Sequence, residues 1–382
     1  MAISISRFII LLSIICVSFS CSSSSDSNNP NDNSSDPNIN DPIDTTTESA
    51  IEFQKNYQTN DSIFTLNSAI QLNDSSYTIA GAVRYNGSFN KNTIMKFDKY
   101  GNRVWTKIMQ ESYTPQGIEK LFLNGTGFMG YRGHHYDVDN SSHILYYNSS
   151  GDVVNEIFTN NDILGNDIIK DGNNYVITGI ESNNMHLRKL DENGQLLWDY
   201  SYGSSEAFSV SKLTDGNYIL IGGANSDGTS ADYLIKTNNS GEKIWSKNSR
   251  GFNTLAISNN QFLAVVYTGY FSGNLVRFDE NGNTIWTREL TNFITDINKP
   301  SPLTLVNYDM EYFICTYVNL SNDLNILVLD ENGNEINSHI IDNYNGADYT
   351  FVSKTIDNGL LIGYTGVFDF GIVKISNEFL FK

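Results

Sequence analysis

An all-β fold is predicted for this chain: a seven-bladed β-propeller of four-stranded blades, the last blade closed by the N-terminal strand. Three observations lead to it. A glycine-centred motif returns every 41 to 51 residues, each interval holds short apolar runs separated by turn residues, and no stretch beyond residue 50 shows helical periodicity.

The motif is plainest in KLDENGQLLW (Lys189 to Trp198), RFDENGNTIW (Arg277 to Trp286) and KFDKYGNRVW (Lys96 to Trp105). Its glycine recurs as Gly101, Gly151, Gly194, Gly241, Gly282 and Gly333. Three residues earlier stand Asp98, Asp191, Asp279 and Asp330, with Asn148 and Asn238 in the other two copies. All four tryptophans, Trp105, Trp198, Trp245 and Trp286, lie four residues after such a glycine, a phase lock that chance does not produce. A second pattern runs in step: YTIAG from Tyr77, YVITG from Tyr175, YILIG from Tyr218, FLAVV from Phe262 and YFICT from Tyr312, with glycine at the aromatic position in GFMGY (Gly127) and GLLIG (Gly359). That makes seven units.

In the clearest unit the strands are residues 207–213, 218–224, 232–238 and 243–249, joined by turn chemistry, and only 6 prolines in the chain leave the ladders intact. Seven such units close radially and leave only short edges. The seventh ends without a copy of the motif, so its outer strand must come from elsewhere. IEFQKNYQ (Ile51 to Gln58) alternates as an outer strand does, and is expected to pair beside the C-terminal strand.

Ahead of the propeller (51–382) lie two segments of other character. Residues 1–20 hold one basic residue, Arg7, and an apolar run from Phe8 to Phe19, too short to span a core of ~30 Å as a helix and of the length of a secretion signal. Residues 21–50 are nearly all Ser, Asn, Asp, Thr and Pro, too poor in apolar groups to fold, and read as a disordered tether of roughly 30 Å root-mean-square reach. The sequence VSFSC followed by SSSSD resembles a bacterial lipoprotein signal, which implies lipid on Cys21, removal of Cys16 with the signal, and Cys315 as the one remaining thiol. Cys315 sits in the apolar run EYFICTYV and is expected to be buried and inert.

The repeats carry a resemblance as well. Asp-x-x-Gly followed by Trp at the fourth position is similar to the docking motif of quinoprotein-type propellers, with one residue fewer between Asp and Gly, and is closer to the repeats of Bacteroidetes propeller lipoproteins. The resemblance spans residues 51–382 and implies fold and an envelope address: lipid-anchored, outer membrane, possible exposure at the cell surface.

Chemistry is sparser. Asp-x-Asn-Gly is part of a calcium loop, but no second carboxylate follows, and a hairpin explains the same residues: Asp accepts backbone N–H groups and Gly supplies positive φ. A tryptophan once per blade suits either a stacking platform or packing between blades, and packing is preferred. The segment YRGHHYDVDNSSH (Tyr131 to His143) gathers His134, His135 and His143 with carboxylates, yet neighbouring strand residues face opposite ways, so a solvated connection is the simpler reading and no metal site is assigned. No nucleophile elbow, zinc-protease helix, phosphate loop or dinucleotide fingerprint is present, so no catalytic residue and no cofactor are expected. With 43 acidic against 24 basic residues and a net charge of −19, nucleic acid is excluded as a partner.

Binding is expected at the face where second strands connect to third strands. Arg84 and Tyr85 lie in the first blade's connection, Arg132, His134, His135 and Tyr136 in the second's, and Tyr267 with Tyr270, Tyr317 and Tyr364 in the fifth, sixth and seventh. The function expected is a non-catalytic binding or scaffolding module for an envelope protein or a glycan, or a structural envelope subunit. The alternative is a quinone- or metal-dependent, or hydrolytic, propeller enzyme.

Overall fold

The computed structural model of the chain describes residues 43–44, 51–59, 62–85, 91–109, 118–133, 142–159, 163–203, 205–224, 233–269, 272–290, 304–308, 311–319, 321–341, 348–366 and 369–381. Within them, antiparallel sheets form seven blades in a ring. Blades 1 to 6 span 62–108, 120–159, 164–201, 205–247, 251–290 and 304–341, each strand pairing with the next in sequence. Blade 7 takes Asp348–Lys354, Leu360–Thr365 and Asp369–Ile375 from the C-terminal end, and Ile51–Gln58 from the N-terminal side as its outer strand. The expected closure is therefore present, with Tyr57 opposite Phe370 and Asn56 opposite Gly371. One departure concerns the segment read as a tether: Ile43 and Asp44 pair with Asn56 and Lys55 and add a fifth strand outside Ile51–Gln58. The open edge of that strand offers a row of N–H and C=O groups, which even two residues can extend. The signal segment, Cys21 and the rest of 22–50 lie outside the described residues.

The core is seven layers, one between each pair of neighbouring blades. Strand alternation explains this. In Tyr218–Ala224, Tyr218 and Leu220 pack toward blade 3, while Ile219 and Ile221 pack toward blade 5. Both faces of a second strand are buried, so it reads as a continuous apolar run, whereas the outer strands expose one face and keep Val104, Leu197, Ile244, Ile285 and Ile336 in solvent.

The motif glycines join one blade to the next. Gly101, Gly151, Gly194, Gly241, Gly282 and Gly333 all have φ between 74° and 87°. Each also lies beneath a side chain of the preceding blade: a Cβ on Gly241, Gly282 or Gly333 would stand 2.8, 2.9 or 2.8 Å from the indole of Trp198, Trp245 or Trp286. Gly151 meets Trp105 in the same way, and Gly194, which follows a blade without tryptophan, meets Ile157. The indole N–H groups of Trp245 and Trp286 donate to the carbonyls of Glu280 (3.2 Å) and Glu331 (2.9 Å) in the next blade's turn. The tryptophans are half-buried packing groups, as expected.

The N-terminal strand reproduces this contact across the seam. Phe53 lies over Gly101 as Trp198 lies over Gly241, and Lys55 flanks it as Tyr200 does. The Tyr57 hydroxyl donates to the Gly101 carbonyl, and Tyr202 donates to Gly241 at 2.6 Å. Where blade 7 lacks a motif turn, the short helix Asn377–Leu380, capped by the Ser376 hydroxyl, tucks Leu380 into the layer between blades 6 and 7. Blade 6 has Asn337 at the tryptophan position, and its amide donates to the Leu380 carbonyl at 3.3 Å.

Near the centre, side chains of one first strand satisfy backbone groups of the next. Ser68 accepts from Leu121 N–H at 3.1 Å, Asp167 from Val210 N–H at 3.0 Å and Ser209 from Thr254 N–H at 3.3 Å. Each acceptor follows a β-bulge, which turns it toward its neighbour.

Two outcomes follow. Phe53→Ala removes the aromatic from the seam and is expected to cost about 3 to 5 kcal/mol, the range for emptying a buried phenylalanine site, read as a lower denaturation midpoint. Gly282→Ala forces a side chain into positive φ and against Trp245, an expected cost of about 2 to 4 kcal/mol. Adding Trp245→Ala should give a double variant less destabilised than the two single costs combined, which a double-mutant cycle measures.

Candidate functional site

The repeated Asp-x-x-Gly turn spends its oxygens internally. Asp279 Oδ1 accepts from the N–H groups of Asn281 (2.9 Å) and Asn283 (2.7 Å), and its other oxygen takes the Asn283 amide at 2.9 Å. Asp98 and Asp330 are bonded alike, and Asn148 and Asn238 keep both backbone contacts through their amide oxygen. Asp191 accepts from Asn193 and Gln195 at 2.8 Å each. For Asp98 and Asp279, burial works against ionisation, but these donors outweigh it and hold the carboxyl below its ordinary range; for Asp330 the Asn334 amide leads in the same direction. The hairpin reading of the motif agrees with this geometry.

The tyrosines and arginines singled out at the opposite face divide. Arg84 is exposed at the end of its strand, opposite Ile63, and the Tyr85 backbone pairs with Ser62. Arg132 is 9% exposed. Tyr267 is half-buried against Phe252 at 5.5 Å. Tyr317 and Tyr364 correct the expectation of contact groups: at 4% and 1% exposure they belong to the inter-blade layers, because their strands run further than the turn residues after them suggest. His134, His135, Tyr136 and Tyr270 lie outside the described residues. His143 is buried, its Nδ1 at 2.7 Å from Glu156 and its ring edge-on to Phe158.

The structure assembles one titratable cluster that the sequence reading passed over. At the tight turn of blade 3, where Ser182 and Asn183 both have positive φ, Glu181, His186 and Asp199 place one ligand atom each within 4.8 Å of one another. Arg188, 4% exposed, already bridges the carboxylates: Nη2 to Glu181 at 3.0 Å and Nε to Asp199 at 3.0 Å. His186 Nδ1 lies 3.0 Å from Asp199. Burial opposes ionisation of Asp199, yet His186 and Arg188 hold its carboxyl below the ordinary range. The guanidinium supplies the positive charge that a metal would bring, so this is an ion-pair cluster. His186 and Asp199 lie 13 residues apart on adjacent strands, a spacing that becomes a contact only through strand register.

A second missed feature was visible in the repeats themselves. The basic residue two before the motif Asp or Asn meets a polar group from its own blade's first turn. Lys96 pairs with Asp74 (3.0 Å), Lys189 with Asp171 (2.6 Å), Lys236 with Asp215 (3.5 Å) and Arg277 with Gln261 (2.8 Å). Blade 7 carries the same device without the motif: Lys374, wholly buried, lies 3.2 Å from Asp357 and 3.3 Å from Glu52.

Around that lysine's partners lies a concavity. A cavity of about 600 Å³ opens at the seam of blades 7 and 1, on the face that carries the motif turns. The N-terminal strand contributes Glu52 and Phe53, the first turn of blade 1 Gln71 to Tyr77, the motif turn Lys99 and Tyr100, and blade 7 Ile356 and Asp357. Gln71 ties the two blades together, its side-chain oxygen accepting from Ile356 N–H at 2.7 Å. Tyr100 and Ile356 are 60% and 58% exposed, whereas Tyr77 is 2% exposed. No helix among the described residues is long and apolar enough to cross a membrane.

No protein-family model matches the chain, and no curated protein does. Solved structures match in fold. The WD40 domain of Neurospora crassa Pan2 aligns at a TM-score of 0.55 and 11% identity, covering 82% of this chain and 90% of that one. The C-terminal WD40 domain of Sif2 gives 0.54 and 11%, covering 89% and 99%. Chaetomium thermophilum Raptor gives 0.56 and 11%, covering 82% of this chain and 28% of the Raptor chain.

Two measurements follow from the bonding of these groups. Carboxyls held low in the fold contribute stability in full above the unfolded value near pH ~4, and lose it as pH falls through the lowered folded values. Asp279→Asn still accepts from both backbone N–H groups, as Asn148 and Asn238 do, so stability at pH 7 should change little while the acid limb of the unfolding curve becomes shallower. Burial pushes the Cys315 thiol up to about 12, so alkylation mapped at Cys315 should be negligible in the folded protein and complete in denaturant.

Proposed function

We propose that the chain is a non-catalytic binding or scaffolding propeller of the cell envelope, held at the membrane by lipid on Cys21 and carrying no cofactor. The observation that supports it best is where the polar groups go. The motif carboxylates accept backbone N–H groups, Lys96, Lys189 and Lys236 pair within their own blades while Lys120 and Lys212 pair across to a neighbouring blade, His143 and His186 face carboxylates, and the one described thiol is buried. A ring built this way is a rigid platform whose rims are free to vary, and rigid platforms suit recognition. The partners proposed are an envelope protein or a glycan.

The lipid signal and the polar segment after it support an outer-membrane address of the Bacteroidetes type, and the repeated docking contact is in keeping with quinoprotein-like repeats. A metal-dependent enzyme is the second reading, favoured only by the Glu181, His186 and Asp199 cluster. Zinc or manganese binding that abolishes the Arg188 pairing and supports turnover would favour it.

Metabolic labelling with a fatty-acid probe and membrane flotation test the address. The wild-type chain is expected to take up label and float, and Cys21→Ala to lose both; flotation retained by the variant would remove the lipid anchor from the proposal.

A further inference from the structure

We propose that the cavity at the seam of blades 7 and 1 is a saccharide-binding site, with Tyr77 as its hydrogen-bond donor and Tyr100 as its stacking platform. This deepens the binding function proposed above by assigning it a place and a ligand class.

Comparison of two blade junctions carries the argument. Between blades 3 and 4, the phenol that opens the second strand, Tyr218, donates to Asp171 of the preceding blade at 2.7 Å, and Lys189 and Lys212 close on the same carboxylate. That junction is complete in itself. At the seam the corresponding phenol is Tyr77 and the corresponding carboxylate is Asp357, yet no hydrogen bond to the Tyr77 hydroxyl is present among the described residues, although the residue is 2% exposed. Burial first, and then the charges of Asp357 and Glu52, raise its pKa, so the hydroxyl keeps its proton and remains a donor. The hydroxyl faces the cavity with no protein partner, so a ligand hydroxyl can take the place of solvent on it.

The charges favour a neutral ligand with many hydroxyls. Glu52 and Asp357 line the cavity, but the buried Lys374 lies against both, and Lys99 stands at the rim. The carboxylates keep lone pairs for hydroxyl donors while their charge is offset, so neither a cation nor an anion has an unbalanced partner. At the mouth, the exposed Tyr100 ring and Ile356 offer the apolar surface that a pyranose ring presents on its C–H face. The Tyr100 backbone is fixed by Asp98 Oδ1 at 2.9 Å, and Gln71 locks the facing turn, so the site is formed in advance. A volume of about 600 Å³ lies in the range of small-molecule sites.

The test uses the full chain, in detergent, with glucose, N-acetylglucosamine, maltose, cellobiose and mannobiose, followed by saturation-transfer NMR and calorimetry. At least one sugar is expected to bind, with Tyr100→Ala and Tyr77→Phe each weakening it about tenfold, roughly the worth of one stacked ring or one buried hydrogen bond. Tyr100→Ala should leave the unfolding midpoint unchanged, since its ring is exposed, and Ile244→Ala, exposed on the outer strand of blade 4, should leave affinity unchanged. The inference is overturned if no sugar binds, or if binding is indifferent to both seam variants. Capture of an envelope protein without sugar binding would overturn this inference and leave the binding function standing. Release of new reducing ends from a bound disaccharide would do the reverse, keeping the site and ending the non-catalytic reading.

Discussion

The contact on which the rest of the ring depends is an outer-strand side chain of one blade, aromatic at five junctions and Ile157 at the sixth, lying against a bare glycine of the next. The glycine meets two demands at once: its φ lies near 80°, which L side chains resist, and its Cα faces a ring so close that a Cβ would collide with it. At Trp245 and Trp286 the indole also reaches a backbone carbonyl of the same turn, so shape and hydrogen bonding fix the angle between those blades together. Each blade is a small sheet with both faces apolar and is not stable alone, so a device that fixes the blade-to-blade angle six times over fixes the circumference as well.

Closure applies this logic at the seam, where the docking ring comes from the N-terminal strand and the glycine is Gly101 of the first motif. Ile51–Gln58 carries Phe53, Lys55 and Tyr57 in the same phase as Trp198, Tyr200 and Tyr202, so the N-terminal strand is an outer strand whose hairpin has been cut away. Joining the two ends of the chain in one sheet removes two free edges and ties the first and last blades without a disulfide. The seam is also where the repeat is least regular, and irregularity leaves space: the cavity lies where the Tyr77 phenol and the Asp357 carboxylate fail to meet as Tyr218 and Asp171 do. A regular ring is well bonded within itself, so room for a ligand arises where the repeat is broken.

Much of the fold was legible because it is written repeatedly. Four tryptophans on one phase, six glycines and seven strand-two runs state the blade count, and the four-residue offset between Gly and Trp states that the turn and the docking ring belong together. The basic residue of KLD, RFD and KFD was equally visible, but its role depended on Asp171, Gln261 and Asp74 in another turn of the same blade. The site was less legible for the same reason throughout. Tyr317 and Tyr364 occur in aromatic, glycine-containing connections, yet strand length put them in the core; His186 meets Asp199 only because register sets Asp199 opposite Arg188, with Glu181 across the turn.

The sequence by itself determined the period, the strand order within a blade, the positions that must be glycine and the identity of the closing strand, because each is a local pattern repeated along the chain. The tertiary structure alone decided which groups are spent and which are left over. Whether a carboxylate is a turn acceptor, an ion-pair partner or part of a cavity wall depends on what the neighbouring blade presents to it. That neighbour lies some forty to fifty residues away for most of the ring and some three hundred at the seam, where Gln71 meets Ile356. Proximity of that kind comes from ring closure, and no local spacing encodes it.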